Sequence, residues 1–308
     1  MEKVLAIVGP TAVGKTNLSL TIATQFNGEI ISGDSMQVYR NLDIGTAKIL
    51  SEERHGITHH LIDICNIDQR FSVADFKKAA SKQIHQITEK GKLPIIVGGT
   101  GFYLQALLAD FSLGNDTYEP QEQVRTKWHT YARTHSQQQL WEKLKEIDPQ
   151  AATKIPVTNE VRVVRALEVY EKTGEQFSAQ HDEQKQKYDV LLIGLNTDRK
   201  LLYDRINLRV DQMIAAGLEQ EALRLFRQGG SDLPAGKGIG YREWYPYFNH
   251  QLSKTAVIAQ IKQDSRNYAK RQLTWFRNKM RVNWFDLIQH PEEEQQIITE
   301  IKNWIGRN

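Results

Sequence analysis

Residues 9–16 read GPTAVGKT and directly follow the apolar run KVLAIV at residues 3–8. They match the pattern G-x-x-x-x-G-K-[ST], a glycine-rich turn that leads from a strand into a helix. The backbone N–H groups of such a turn and the positive end of the helix dipole attract phosphate oxygens, and the lysine adds a point charge. We therefore predict a phosphate-binding loop, with the Thr16 hydroxyl as a ligand for Mg²⁺, made of Gly9, Pro10, Thr11, Ala12, Val13, Gly14, Lys15 and Thr16.

Apolar strands alternate with helices along much of the chain. Short apolar runs occur at residues 3–9, 28–35, 92–101 and 188–196, and helical spacing occurs over 15–26 and from Ser72 to Gly91. This alternation is typical of an α/β core with a parallel sheet. Such sheets bind ligands at the carboxyl ends of their strands, so we expect the loops at 9–16, 33–37 and 98–101 to share one site.

The composition changes between the third and fourth of these strands. Residues 115–187 are rich in Gln, Glu, Lys, Arg and His, show helical spacing and contain no clear strand. We therefore predict a P-loop NTPase-like α/β core with a parallel sheet over 1–114 and 188–308, and an all-α insertion domain over 115–187.

The bulk composition is that of an ordinary globular protein, with 40% hydrophobic and 25% charged residues among 308. No apolar run approaches the roughly 20 residues that span a bilayer. The single cysteine, Cys65, cannot form an internal disulfide. We therefore expect a cytoplasmic protein with no membrane partner.

Positive charge is concentrated near the end of the chain, although the net charge is only +3. Residues 264–281 carry six Lys or Arg interleaved with aromatic residues, a composition that suits nucleic acid. Aromatic residues at helical spacing are more often part of a core, and charged residues then form a solvated face. Both interpretations stay open for Tyr268, Lys270, Arg271, Trp275 and Arg277.

The polar residues near the other strand ends also have two interpretations. The strand at 93–97 ends in glycines, where a P-loop NTPase carries an Asp that binds magnesium. Asp34, after the second strand, is either a turn-capping residue or a general base beside the phosphate loop. Thr100 either caps the next helix or points its hydroxyl into the cleft. Arg205 and Arg209 either bind a diphosphate or form surface pairs with Asp204 or Asp211.

Several stretches together resemble one family, the tRNA dimethylallyltransferases, also called tRNA isopentenyltransferases. These stretches are GPTAVGKT, ISGDSMQVYRNLDIGTAK, HHLID, VGGTGFYLQALL, NEVRVVRALEVYEKTG, LLYDRINLRVDQMIAAGLEQE, KGIGYREW and YAKRQLTWFR. They run in order from residue 5 to about residue 285 and so cover nearly the whole chain. Longer eukaryotic relatives add a zinc-finger segment after the core, so its absence here indicates a bacterial-type enzyme.

The resemblance implies transfer of a dimethylallyl group from dimethylallyl diphosphate to N6 of the adenosine immediately 3′ of the anticodon, at tRNA position 37. The phosphate loop would then hold the diphosphate leaving group, with Mg²⁺ as cofactor, and would not hydrolyse ATP. Asp34 matches the family's general base, and Thr100 matches a residue that contacts the substrate nucleotide. Arg209 is expected to stabilise the leaving group, and Arg205 to help bind it.

The resemblance also implies contact with the anticodon stem-loop of tRNA, and we expect the protein itself to be a monomer. The matching positions are Asp34, Ser35, Met36, Gln37, Thr100, Arg125, Val161, Arg162, Val163, Val164, Arg165, Lys237, Gly238, Ile239, Gly240, Tyr241 and Arg242.

Three alternatives use the same loop differently. A nucleoside or nucleotide kinase would spend ATP there but would need a magnesium-binding Asp. An AMP isopentenyltransferase should lack the long insertion and the basic C-terminal helix. A non-enzymatic RNA-binding protein would have no need of an intact Lys15, Thr16 and Asp34.

Overall fold

The computed structural model describes residues 1–108, 122–179 and 187–307. The chain divides into two compact units, which we call the core unit (Met1–Ala109 with Gln186–Asn308) and the insertion unit (Asp110–Lys185). The expected boundary at 114–115 lies outside the described residues, and residue 188 is the first of a strand.

The core unit contains one parallel sheet, which confirms the predicted α/β class. Its strands are β1 (Glu2–Val8), β2 (Gly28–Ser32), β3 (His59–His60), β4 (Leu93–Gly98), β5 (Tyr188–Leu195) and β6 (Asn283–Phe285). Their order across the sheet is β3-β2-β4-β1-β5-β6, and every described neighbouring pair is parallel. The sequence pattern does not predict β3 and β6, because two or three residues are too few to show periodicity.

The described helices cover both faces of the sheet and build the insertion unit. None of the helices within the described residues is long and apolar enough to cross a membrane. Their bounds are α1 (Lys15–Gln25), α2 (Val73–Glu89), α3 (Gly101–Leu108), α4 (Glu122–Thr134), α5 (Gln137–Ile147), α6 (Pro149–Lys154), α7 (Glu160–Thr173), α8 (Arg199–Ala215), α9 (Leu218–Arg227), α10 (Tyr245–Phe248), α11 (Lys254–Lys279) and α12 (Glu293–Ile305).

The central strand β1 is apolar on both faces because helices cover both sides of it. Val4 and Val8 pack in a cluster that includes residues of α2 and α3. Leu5 and Ile7 point the other way, into a cluster that includes residues of α1, α8 and α12. Successive side chains of a strand alternate between faces, so a strand buried on both sides has no polar alternation. This explains the unbroken run KVLAIV.

The insertion unit is helical in its described part, and α4–α7 share an apolar cluster that includes Trp128, Leu144 and Val163. Asp148 caps α6 by accepting the N–H of Ala151 at 2.9 Å, and it also accepts the N–H of Ser178 at 2.7 Å. The buried carboxylate thereby ties the start of α6 to the chain that follows α7.

The buried Glu29 carboxylate, near the amino end of β2, lies close to three basic side chains. The Glu29 side chain is 3% exposed and lies 2.7 Å from His60 Nε2 and 2.9 Å from Lys92 Nζ, with Lys90 Nζ at 3.3 Å. Burial by itself raises the pKa of Glu29. Hydrogen bonds from Lys92, His60 and Lys90 outweigh burial and lower the pKa to about 2.

Glu29→Gln should make the protein less sensitive to acid. The pKa of Glu29 is lower in the folded than in the unfolded chain, so its contribution to stability is present at neutral pH and is lost as acid protonates it. We expect the wild type to lose roughly 2 kcal/mol more than the variant between about pH 5 and pH 2, measured by urea unfolding. Glu89→Gln is the control because that carboxylate is 64% exposed. Equal pH slopes for wild type and Glu29→Gln would contradict the assignment.

Candidate functional site

The phosphate loop joins β1 to α1, as the sequence predicts. Gly9 has a φ of 142°, and a Cβ atom there would come within 2.3 Å of the Leu195 carbonyl oxygen, so only glycine fits. Gly14 has a φ of 106° and precedes α1, whose N-terminus has no side-chain cap. The N–H groups of this first turn are therefore available to an anion.

Lys15 lies across the loop, where its Nζ donates to the carbonyl oxygens of Gly9 at 3.0 Å and Pro10 at 2.6 Å. Burial of the ammonium group and, to a smaller extent, the nearby charge of Arg209 together lower its pKa to about 7, although the Asp34 carboxylate opposes both effects. Lys15 and Arg209 are thus two cations held together in a partly desolvated place. A bound anion would offset the repulsion between these two basic groups, so the loop is suited to a multiply charged ligand.

Two arginines of α8 contact the phosphate loop. Arg205 Nε donates to the Ala12 carbonyl oxygen at 2.9 Å, and Arg209 Nη1 donates to Thr11 Oγ1 at 3.2 Å. Neither pairs with Asp204 or Asp211 among the described ion pairs, and Asp211 instead lies 2.6 Å from Lys262. The geometry therefore favours the ligand-binding interpretation of both arginines over the surface-pair interpretation.

Asp34 begins the loop that follows β2. Its Oδ1 accepts the N–H of Met36 at 2.8 Å, which is the turn-capping contact that the sequence allowed. Thr100 Oγ1 accepts the N–H of Ser35 at 3.1 Å, so the end of β4 is joined to this loop beside Asp34. The carboxylate both supports its own turn and lines the cavity described next, so the capping role does not exclude a role in chemistry.

A cavity of about 940 Å³ in the core unit brings the predicted groups together. Gly9, Pro10, Thr100 and the buried Tyr241 do not line it. The predicted residues that do line it are Thr11, Ala12, Val13, Gly14, Lys15, Thr16, Asp34, Ser35, Met36, Gln37, Arg205, Arg209, Lys237, Gly238, Ile239, Gly240 and Arg242.

Glu221 supports one wall of this cavity and was not singled out from the sequence. Its carboxylate accepts the N–H groups of Asp43, Ile44 and Gly45 at 2.9, 3.1 and 3.0 Å and the hydroxyl of Tyr241 at 2.7 Å. These bonds connect α9 to two segments that line the cavity, the turn around Gly45 and residues 237–242. The Tyr241 side chain is therefore a buried anchor, and contact of this position with tRNA stays a prediction.

The basic stretch at 264–281 divides between the cavity and the packed core. Tyr268 and Arg271 line the cavity, and burial, with a smaller contribution from Asp34, raises the pKa of Tyr268 to about 12. Trp275 packs against Gly101 and Phe102. Lys270 is exposed, and Arg277 stacks on Trp284. The core interpretation therefore holds for Trp275, whereas Tyr268 and Arg271 face the cavity.

The insertion unit holds the remaining predicted tRNA positions. Val161 is 77% exposed and Arg162 is exposed, whereas Val163 and Val164 are buried in the unit's own core. The side chains of Val163 and Val164 therefore pack inside the unit, and contact of these two positions with tRNA stays a prediction. Arg165 and Arg125 both lie near the Glu168 carboxylate, at 3.5 Å and 4.0 Å.

Comparison with known proteins agrees along the whole chain. A family model described as IPP transferase matches residues 37–279. A tRNA dimethylallyltransferase of Lactiplantibacillus plantarum is 59% identical over 305 residues, which cover 99% of this chain and 98% of that protein. One of Enterococcus faecalis is 50% identical over 305 residues, with 99% and 98% coverage.

Solved structures give the same result. A tRNA isopentenylpyrophosphate transferase from Bacillus halodurans is 45% identical, with a TM-score of 0.75 over 99% of this chain and 97% of that one. A eukaryotic dimethylallyltransferase acting on tRNA is 30% identical, with a TM-score of 0.83 over 98% of this chain and 79% of that one. A family match across most of the sequence and near-complete alignment to such relatives establish that this chain belongs to the IPP transferase family.

Proposed function

We propose that this protein transfers a dimethylallyl group from dimethylallyl diphosphate to N6 of adenosine 37 in tRNA, which yields N6-dimethylallyladenosine and diphosphate. The observation that carries the proposal is the cavity itself. It is lined by a cationic phosphate loop and by the Asp34 carboxylate, with no acidic residue at the end of β4. The relatives named above as tRNA dimethylallyltransferases support the same activity.

The phosphate loop serves the leaving group in this proposal. As the N6 nitrogen forms a bond to the allylic carbon, the carbon–oxygen bond to the diphosphate breaks and negative charge grows on the released oxygen. Lys15, Arg209 and the N–H groups at the start of α1 are arranged to stabilise that charge. The loop therefore needs no residue that activates water or transfers phosphate.

Asp34 serves the nucleophile. The exocyclic amine of adenine is a weak nucleophile because its lone pair is delocalised into the ring. A carboxylate that accepts the N6 proton as the new bond forms removes the positive charge that would otherwise develop there. The bond between Thr100 and the N–H of Ser35 holds the adjoining backbone in place. Adenosine 37 must leave its loop stack to reach this group.

Mg²⁺ fits this site as a companion of the diphosphate. Thr16 lies at the first turn of α1, is exposed and lines the cavity, so its hydroxyl is the protein ligand that we assign. No group of three or more His, Cys, Asp or Glu residues within the described chain could hold a metal by itself. Mg²⁺ would add positive charge beside the leaving group.

The tRNA would be held by cationic and polar side chains. We assign this role to the half-buried Ser35 and Gln37 and the exposed Lys237 and Arg242, which all line the cavity, and to the exposed Arg162 of the insertion unit. Contacts between these cationic side chains and the tRNA phosphates would release counterions.

We further propose that the protein works in the cytoplasm as a monomer.

The direct test is incubation of unmodified tRNA with the protein, Mg²⁺ and dimethylallyl diphosphate, without ATP, followed by mass spectrometry of the nucleosides. N6-dimethylallyladenosine in the anticodon loop is the expected product. Prenylation of free AMP but not tRNA would support the AMP isopentenyltransferase. Consumption of ATP with a small nucleoside, and no prenylated product, would support the kinase.

Asp34→Asn should lower kcat by about 100- to 10 000-fold and leave tRNA binding within a few-fold of wild type, because Asn keeps an acceptor for the Met36 N–H but is no base. Steady-state rates and tRNA binding are to be measured together. Asp198→Asn makes the same change at the N-cap of α8, where Asn also caps well, and should leave both unchanged. Lost tRNA affinity with an unchanged kcat would rule out the base role.

Diphosphate binding should be accompanied by proton uptake at Lys15. Its pKa of about 7 leaves the amine mostly neutral near pH 8, and a bound anion favours the protonated form. Calorimetry in two buffers of different ionisation enthalpy should show about one more proton taken up near pH 8 by wild type than by Lys15→Arg, which stays charged. The difference should vanish near pH 6, where Lys15 is already protonated. Equal proton counts near pH 8 would contradict the lowered pKa.

A further inference from the structure

One polar side chain of α11 is buried, and neither the phosphate-loop motif nor the proposed chemistry uses it. Gln272 is 5% exposed, whereas the other polar side chains of Lys254–Lys279 are partly or fully exposed. An unused buried amide would cost free energy unless both of its ends were hydrogen-bonded.

Both ends are bonded, and to two different loops. Gln272 Oε1 accepts the N–H of Thr11 at 3.0 Å, and Nε2 donates to the carbonyl oxygen of Gly99 at 3.0 Å. The amide has only one workable orientation, because turning it over would set donor against donor and acceptor against acceptor. Gly99 fits closely around it, since a Cβ atom there would lie 2.0 Å from Nε2.

This amide continues the sheet where the strands themselves stop. β1 and β4 are paired in parallel up to Val8 and Gly98, and the chain then diverges into the phosphate loop and the Thr100 turn. Gln272 supplies an acceptor to one of these loops and a donor to the other, as a backbone peptide of an intervening strand would. The distance between the two loops is thereby fixed by a side chain from a distant helix.

One of these two loops binds the diphosphate in the proposed reaction, and the other is bonded to the turn that contains Asp34. Thr11 belongs to the phosphate loop, and its hydroxyl oxygen accepts a hydrogen bond from Arg209 Nη1. Gly99 precedes Thr100, which accepts the N–H of Ser35 next to Asp34. A continuous path of hydrogen bonds and short backbone links thus joins the phosphate loop to Asp34.

We propose that Gln272 is a positioning residue that holds the phosphate loop and the Gly99–Thr100 turn, which is bonded to the turn around Asp34, at the separation required for prenyl transfer. This inference rests on the proposed function. Gln272 itself lines the cavity, and it acts through Thr11 and Gly99, to which its amide is bonded. Its loss should slow the transfer step, while the groups that bind each substrate remain present.

The first test is Gln272→Met, which keeps the length of the side chain and adds no charge but removes both hydrogen bonds. Since misplacement by about 1 Å can slow a positioned reaction 100-fold, we expect kcat to fall about 10- to 100-fold. The KM values for dimethylallyl diphosphate and tRNA should stay within about three-fold of wild type. Gln263→Met is the matched control, because Gln263 is exposed on the same helix and outside the cavity.

Each outcome separates the possibilities. No prenylated tRNA from wild type would refute the proposed function. With an active wild type, an unchanged kcat in Gln272→Met, or a change confined to either KM, would refute the positioning role. Thermal unfolding and the affinity for inorganic diphosphate are measured for each variant, so that rates refer to folded protein with an intact donor site. A kcat loss that disappears after this correction would also overturn the proposal.

A double-mutant cycle gives a second, independent test. Gly99→Ala in the wild type should displace the Gln272 amide and lower kcat, because the new Cβ meets Nε2. In a Gln272→Ala background the same change has room, so it should add less than about two-fold to the loss. Multiplicative effects of the two substitutions would show that Gly99 and Gln272 act separately and would overturn the proposal.

Discussion

The close approach of neighbouring strand ends is the constraint on which the site depends. A Cβ atom at Gly9 would meet the carbonyl oxygen of Leu195 at 2.3 Å, and one at Gly98 would meet that of Gly33 at 2.4 Å. Only glycines allow the end of β1 to lie this close to the end of β5, and the end of β4 this close to the residue that follows β2. The loops that follow these strands therefore start within reach of one another, and a donor loop and a carboxylate share one cavity.

Electrostatics then determine what that cavity is suited to hold. Lys15 and Arg209 are kept close together, and the uncapped start of α1 adds partial positive charge. Burial lowers the pKa of both groups, because it removes water from around their charged forms. Asp34 offsets part of this charge and leaves room for an anion that carries more than one negative charge. A diphosphate leaving group meets this requirement, whereas phosphoryl transfer would also call for an acidic residue at the end of β4.

Short-range sequence patterns predicted those elements whose conformation depends mainly on neighbouring residues. The turn between β1 and α1, four of the strands and the helix that begins after Ser72 follow from short-range spacing, and the structure confirms them. Gln272 and Glu221 could not be found in this way, because their partners lie far away in sequence and a Gln or Glu in a helix is ordinarily solvated. Burial also decides which members of a matched segment can touch a ligand. Tyr241 carries a family motif yet serves as a buried anchor, since its hydroxyl is bonded to Glu221.

The central claim is that the phosphate loop holds a leaving diphosphate and does not act on phosphorus. Dimethylallyl diphosphate with ¹⁸O at the oxygen that bridges carbon and phosphorus distinguishes the two possibilities. Carbon–oxygen cleavage predicts that all of the label appears in diphosphate, in amounts equal to the prenylated tRNA, as measured by ³¹P NMR and mass spectrometry. Label found in dimethylallyl alcohol, with phosphate transferred elsewhere, would contradict the claim.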